Sequence, residues 1–309
     1  MKNIISVVVI AYNSAASILE TLDSVLNQTY GSKFIELIIA DDGSKDATVK
    51  VVNEWLNVHK KSFYSIDFYV SEKNKGVAAN CNLGWKNCSA NWIKTIAADD
   101  ILMPNCLLDN FEYITEHKEV SIVFSDMLNF SNDIKASTLN KHCCIFFKKS
   151  AAEQYAALHK ESYLLAPTSF IKKSILEEVG FASEQFFMIE DYPLWYKVTK
   201  AGYRLHHFEK ATVLYRNGDS LCQQSQKIGN LDYLSSLYSF QKECIWPNLK
   251  GVGVLKKWDD LFIYKSKALW IKNLGNKNST LFKCYYKCTY LFRPYLVVRF
   301  LDRILKNNV

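Results

Sequence analysis

At 309 residues, with 49% apolar and 22% charged positions and only 11 Gly and 5 Pro, the chain has too much buriable surface for a disordered polypeptide. It has too little Gly and Pro for a collagen-like one. The length suits one large domain with an appendage, or two modest domains. Within the net charge of +7, residues 220–309 carry 15 Lys and Arg against 5 Asp and Glu, while residues 1–219 carry 23 against 26. A slightly acidic body therefore precedes a basic, aromatic section.

No apolar run approaches the roughly 18–20 residues needed to cross a bilayer. Lys2, the run 4–12 and the pair Ala15-Ala16 imitate a signal peptide weakly, but Ser6 interrupts the run and a strand–helix pattern follows at once. The expectation is an uncleaved chain that stays in the cytosol. Nine cysteines, an odd number without C-x-x-C, read as reduced thiols packed like small apolar residues; no structural metal cluster is expected.

In chain order, 4–11 (IISVVVIA) is a continuous β-branched run, the pattern of a strand buried on both faces of a parallel sheet. Ser17 and Glu20 have capping-box spacing ahead of the stripe Ile18, Leu22, Val25 and Leu26. A second strand is expected over 36–40, a helix over 48–59, a third strand over 66–70, a helix over 77–87 and a fourth strand over 92–97. Strands alternating with helices of this length predict a parallel sheet covered by helices, with ligands beyond the carboxyl ends of the strands.

Polar residues fall at those ends: Tyr12-Asn13, Asp41-Asp42, Glu72-Asn74-Lys75-Gly76 and Asp99-Asp100. Each group alone is an ordinary loop, and Asp-Asp-Gly-Ser most often a capped turn. Four at consecutive strand ends point to a site. No G-x-G-x-x-G follows the first strand and no P-loop occurs, so phosphates are expected to be met by a pair of aspartates holding a hard divalent cation.

The segments VVIAYNS (8–14), LDSVLNQTY (22–30), IIADDGSKD (38–46), EKNKGVAANCNLG (72–84), AADDIL (97–102), PTSFIKKSILEEVGF (167–181) and IEDYPLWYKVTKAGY (189–203) resemble the inverting family 2 glycosyltransferases, in the family's order and over about residues 1–218. The resemblance implies an α/β chain with the GT-A (nucleotide-diphospho-sugar transferase) fold: a mostly parallel central sheet covered by helices, plus a C-terminal helical appendage. It implies a catalytic domain over 1–219, with a nucleotide-sugar half (1–102) and an acceptor half (103–219), and a helical, basic and aromatic region over 220–309.

The same resemblance implies the site. Ala11, Tyr12 and Asn13 would pack against the base, and Asp42 would accept the uracil N3–H. Asn74, Gly76 and Asn80 would lie near the ribose and diphosphate, with Gly76 allowing close backbone approach. Asp99 and Asp100 would hold Mn²⁺ or Mg²⁺ against the diphosphate, and Arg216 would reach the same phosphates. Asp191 would be the general base for the acceptor hydroxyl, with Glu190 binding or orienting acceptor; the bland alternative is a pair of helix-start carboxylates. Two positions depart from the family: Ala97 stands where an earlier Asp is common, and Tyr215-Arg216-Asn217-Gly218-Asp219-Ser220 lacks the usual His. His206 and His207 read as structural.

Beyond residue 220, helices are expected over 223–245, 254–274 and 279–306. Aromatics interleaved with Lys and Arg could serve nucleic acid, an anionic membrane or an ordinary packed appendage. No recognised motif accompanies the charge, so nucleic acid is not expected. The segment 290–305 (YLFRPYLVVRFLDRIL) suits a helix at a lipid interface, with Arg293, Arg299, Arg303 and Lys306 available for phosphates. The functional expectation is a metal-dependent, inverting hexosyltransferase moving sugar from a nucleotide diphosphate sugar, a UDP-sugar above others, to a growing surface glycan on a polyprenyl-diphosphate carrier (O-antigen, other lipopolysaccharide or capsule), at the inner face of the cytoplasmic membrane. The alternatives are a weak or inactive GT-A fold acting as a nucleotide-sugar or glycan binding module, and a nucleotidyltransferase.

Overall fold

The structure is a computed structural model that describes residues 3–131, 133–217 and 227–307. The chain divides into two compact units, Met1–Asn217 and Gly218–Val309.

The first unit opens with β1 (Ile5–Ala11), then α1 (Ile18–Leu26), β2 (Ile35–Asp41), α2 (Thr48–His59), β3 (Ser65–Val70), α3 (Val77–Asn87) and β4 (Trp92–Ala97). These strands pair in parallel in the order β3-β2-β1-β4. β1 and β2 are buried on both faces, which is why their sequences are mostly apolar rather than alternating; the exceptions in their interior, Ser6 and Glu36, hydrogen-bond to each other. Register matters most for the site. Ala11 lies opposite Asp41, Asp41 opposite Val70, and Ile10 opposite Ala97, so all four strands end at one edge.

The rest of the unit contributes β5 (Ile101–Leu102), α4 (Cys106–Glu116), β6 (Ile122–Phe130), β7 (Thr138–Asn140), α5 (Cys144–Phe147), α6 (Ala151–Leu158), β8 (Phe170–Lys172), α7 (Lys173–Glu178), α8 (Asp191–Lys200) and β9 (His206–Arg216). The sheet continues as β4-β8-β6-β9-β5, with β7 beside β6. The parallel character belongs to the first four strands. β8 joins β4 and β6 antiparallel, β6 pairs β9 in parallel, and β5 pairs β9 antiparallel. Fully buried Lys94 on β4 fastens the two halves, donating to Pro167 O at 2.6 Å and Ser169 O at 3.2 Å; burial lowers its pKa. His207 Nε2 donates to Oδ1 of buried Asp126 at 2.9 Å, a contact between strands β9 and β6.

The second unit contains α9 (Leu231–Phe240), a π-helical turn (Gln241–Ile245), α10 (Leu255–Asn273), α11 (Thr280–Cys288) and α12 (Pro294–Asn307). The single helix expected over 279–306 is two helices. Pro294 opens α12, and the residue before it, Arg293, takes φ −117° and ψ 80°, outside the helical region that a following proline disfavours. The start expected at 223 lies outside the described residues; the described helix begins after Asn230, whose side chain caps Asp232 N–H and Tyr233 N–H. Cys81, Cys88 and Cys106 are buried as expected, whereas Cys143, Cys284 and Cys288 are exposed. Cys222 lies outside the described residues.

Candidate active site

The loop after β1 and the loop after β2 lock together. Asn13, a non-glycine at φ 51°, donates its N–H to Ser44 Oγ at 2.8 Å and accepts Lys45 N–H on Oδ1 at 2.8 Å. Such a φ is tolerated best by Asn, Asp and Gly. Asp41, the other member of the Asp41-Asp42 pair, braces the same turn through Ser44 N–H and Oγ. Tyr12 stands 40% exposed at the rim.

Asp42 is buried and tied to the loop after β3: Lys75 N–H donates to one carboxylate oxygen at 2.8 Å and Gly76 N–H to the other at 2.9 Å. Burial raises its pKa, and the two amides pull it back down. Each oxygen keeps a further lone pair. Asn74 Oδ1 also accepts Gly76 N–H, at 3.0 Å. Gly76 sits at φ +90°, and a Cβ there would lie 2.3 Å from Phe187 O, so the turn packs backbone to backbone on the segment leading into α8. Asn80 turns its amide to the strand ends, donating to Ala40 O at 3.0 Å and Ala11 O at 3.3 Å.

Asp99 and Asp100 follow β4. Asp100 Oδ1 accepts Arg216 N–H at 2.9 Å, while its Oδ2 is buried with no hydrogen-bond partner among the described residues. Burial, and then the Asp99 charge, push the Asp100 carboxyl up to about 8; burial raises Asp99 as well. The Arg216 guanidinium donates to Asp99 O at 2.9 Å, pairs with Glu20 and lies 4.6 Å from the Phe130 ring centroid. Its charge is held beside the two aspartates. The capping box expected from Ser17 and Glu20 is therefore not formed. Ser17 Oγ donates instead to Ala98 O at 2.9 Å, and Glu20 is drawn to Arg216. Gly218, Asp219 and Ser220, part of the departing motif, lie outside the described residues.

A buried carboxylate oxygen without a donor is costly unless a cation meets it. Two adjacent carboxylates with one such oxygen make a donor set that fits a hard divalent ion. Among the described residues no cluster of three or more His, Cys, Asp or Glu converges, in keeping with Ala97 where a third carboxylate would stand.

Glu190 and Asp191 stand at the start of α8, both half-buried. Asp191 Oδ1 accepts Tyr192 N–H at 2.6 Å. Leu194, Trp195 and Val198 are buried, with Trp195 edge-on to Phe124. Burial raises both carboxyl pKa values, and the Asp191 charge raises Glu190 further. The buried Cys81 thiol of α3 is raised chiefly by burial and then by the charges of Glu190, Asp191 and Asp42. Carboxylates from β2 and α8 thus act on one turn of α3.

The candidates from four separate stretches of sequence therefore meet at one sheet edge and the start of α3. Sequence reasoning gave Asp41 no role beyond its strand end, read Glu20 as a helix cap, and missed Asn82. The last is a second polar residue on the buried side of a short helix, which is itself a signal.

The family described as "Glycosyl transferase family 2" matches residues 6–180. The chain is 25% identical over 252 residues to an uncharacterized glycosyltransferase of Methanocaldococcus jannaschii, covering 81% of each. It is 30% identical over 195 residues to the poly(ribitol-phosphate) beta-N-acetylglucosaminyltransferase TarP of Staphylococcus aureus, covering 60% of this chain and 56% of TarP. Its fold is shared with S. aureus TarS residues 1–349, solved in complex with UDP-GlcNAc: TM-score 0.63, 17% identity, covering 87% of this chain and 76% of that one.

Proposed function

The chain is a member of glycosyl transferase family 2 with the GT-A fold, and from that premise we propose that it moves a sugar, with inversion, from a uridine diphosphate sugar to a hydroxyl of a surface glycan. The observation that carries the reading is that Asp42 and Asp99-Asp100 follow β2 and β4 at one edge of the sheet, while the charges of Asp42, Glu190 and Asp191 all reach Cys81 of α3. A turn-capping aspartate or a helix-start acid would explain any one of them alone, not the convergence.

Asp42 recognises the uracil imide with the lone pairs its two amide partners leave, and Ala11, Tyr12 and Asn13 flank the base. Asn74 and Gly76 shape the turn against the ribose and diphosphate, and Asn80 supports it from the strand ends. Asp99 and Asp100 hold Mn²⁺ or Mg²⁺. When bound, the ion supplies counter-charge to the departing diphosphate, and Arg216 adds a fixed positive charge beside it. Asp191 accepts the proton of the acceptor hydroxyl as its oxygen bonds to the anomeric carbon, the bond to the diphosphate breaks on the opposite face, and UDP leaves. A carboxylate raised toward neutrality is a better base than an ordinary one. Glu190, raised by burial and by the Asp191 charge, binds and orients the acceptor.

The acceptor class rests on the likeness to TarP, whose name states a polymer substrate; a polyprenyl-diphosphate carrier would present such a hydroxyl close to a membrane. Among the described residues no helix is long and apolar enough to cross one, so attachment would be peripheral, through the second unit.

The test is a donor screen reading released nucleoside diphosphate, with calorimetry of UDP, TDP and GDP. Tightest binding of UDP is expected; tighter GDP or TDP overturns the uridine assignment. Asp191→Asn should bind UDP normally and lose transfer by about 10²–10⁴-fold, with the parent's transfer falling at acid pH from above the ordinary carboxylate range. Near-normal turnover of the variant would move the base elsewhere.

A further inference from the structure

The segment between α7 and α8 is built on turns, with Phe186 N–H donating to Ser183 O at 3.2 Å and Ile189 N–H to Phe186 O at 3.1 Å. It begins at Gly180 (φ +73°) and Phe181 (φ +56°), two successive residues in the left-handed region, and ends nine residues after Ala182 at Asp191. It is also tied to α3. Asn82 is buried, and its amide reads the backbone of Ala182 as a paired strand would: Ala182 N–H donates to Oδ1 at 2.9 Å, and Nδ2 donates to Ala182 O at 3.0 Å. Nδ2 also donates to Glu184 Oε1 at 2.8 Å. One helical turn on, Lys86 Nζ lies 5.5 Å from the Phe181 ring centroid, and at the other end of the helix the Gly76 turn abuts Phe187. Lys197 of α8 closes the loop on itself by donating to Phe181 O at 2.5 Å.

We propose that Asn82 is a positioning residue for the transfer, clamping residues 181–190 to α3 so that the Glu190-Asp191 pair stands at a set distance from the donor turn at the start of the same helix. The proposal rests on the sugar-transfer reading above. The geometry makes α3 the common reference: its first turn packs on the donor loops, and its middle grips the segment that delivers the base. A single side chain with a donor and an acceptor in fixed relation suits the task, because it satisfies both backbone groups of Ala182 at once and permits no slide along the chain. Reacting groups displaced by about 1 Å can lose 10²-fold in rate while both substrates still bind.

The experiment compares Asn82→Ala, Asn82→Asp and Asn82→Asp/Glu184→Gln in the full chain. Asn82→Ala should lower kcat by about 10–10²-fold, leave the Kd for UDP within about twofold, and raise donor hydrolysis relative to transfer. Asn82→Asp sets a carboxylate against Ala182 O and Glu184, and should lose at least as much. The double variant restores a donor at position 184 and should regain part of the loss. Amide hydrogen exchange over 182–191, followed without substrate, should speed in both single variants and slow again in the double one. Unchanged kcat with only a lower Tm makes Asn82 structural and overturns the proposal; so does a parallel loss of UDP binding, or absence of recovery in the double variant. If Asn82→Ala does not fold, the Asp and double variants carry the same decision. Should the parent turn over no nucleotide sugar while the exchange changes appear, the transfer reading has failed and the clamp has not.

Discussion

Asp100 is the residue whose environment asks most for a partner. Its carboxyl is raised from 3.8 to about 8 by burial and by Asp99, and one oxygen has no donor among the described residues. Between those two values the folded chain binds more protons at this site than the unfolded chain, so metal-free stability should fall as pH rises through the window. The loss amounts to a few kcal/mol at most, since each unit is worth about 1.4 kcal/mol and relaxation reduces it. Melting curves in EDTA from pH 5 to 8 should show that decline. Mn²⁺ or Mg²⁺ should reverse it at pH 8, and Asp100→Asn should flatten it. A metal-independent Tm at pH 8, together with full activity in EDTA, would remove the metal role from this pair.

At the scale of elements, the short turn from β3 into α3 concentrates the constraints. Gly76 must adopt φ +90° and must lack a side chain, because a Cβ would meet Phe187 O at 2.3 Å and cannot displace a backbone oxygen cheaply. Gly202, in the turn after α8, shares a positive φ of +96° but has nothing within 4 Å. Gly202→Ala should therefore cost only the left-handed strain, about 1 kcal/mol. Gly76→Ala should add the clash, for roughly 2–4 kcal/mol in all, and should weaken UDP binding by moving the amide that Asp42 accepts. Equal Tm losses for the two would show that the Phe187 contact yields freely. The segment from β6 to α6 is built around other polar anchors: Asp126 accepts His142 N–H at 3.0 Å, and Ser150 and Glu153 form a full capping box at α6.

For the whole molecule, the second unit holds the positive charge and much of the exposed apolar surface. Leu291 is 82% exposed, Phe300 63% and Leu301 52%. Of the bases expected to meet phosphates, Arg293 is turned to Asp259, 3.9 Å away, and stacks over Tyr290, and Arg299 lies over the Tyr295 ring. The side chains of Arg303 and Lys306 lie outside the described residues. Apolar insertion thus carries more of the proposed attachment than charge, which contributes about 1 kcal/mol for each basic group near an anionic surface. Full-length protein should float with anionic vesicles at low salt, and Phe300→Ser/Leu301→Ser should sediment while keeping its Tm. Full-length protein that stays at the bottom makes the second unit structural only.

The sequence by itself determined the elements whose periodicity is strong and local. Strand β4 and helices α2 and α3 have the expected bounds, β1 and β3 differ by a residue at one end and β2 by a residue at each end, because runs of buried β-branched residues and apolar stripes report directly on burial. It also placed the polar groups at strand ends, and the family that those groups resemble is the one the chain belongs to. Only the tertiary structure decided which polar atoms meet. Ser17 and Glu20 have capping-box spacing yet bond to Ala98 and Arg216, since a residue nearly two hundred positions away offered a charge that the local turn could not. Asn82 finds Ala182 in the same way, and the antiparallel insertion of β8 between β4 and β6 has no local signature in three residues. Hydrogen bonds and ion pairs reach only a few ångströms, so their partners depend on how distant segments pack, which no spacing along the chain encodes.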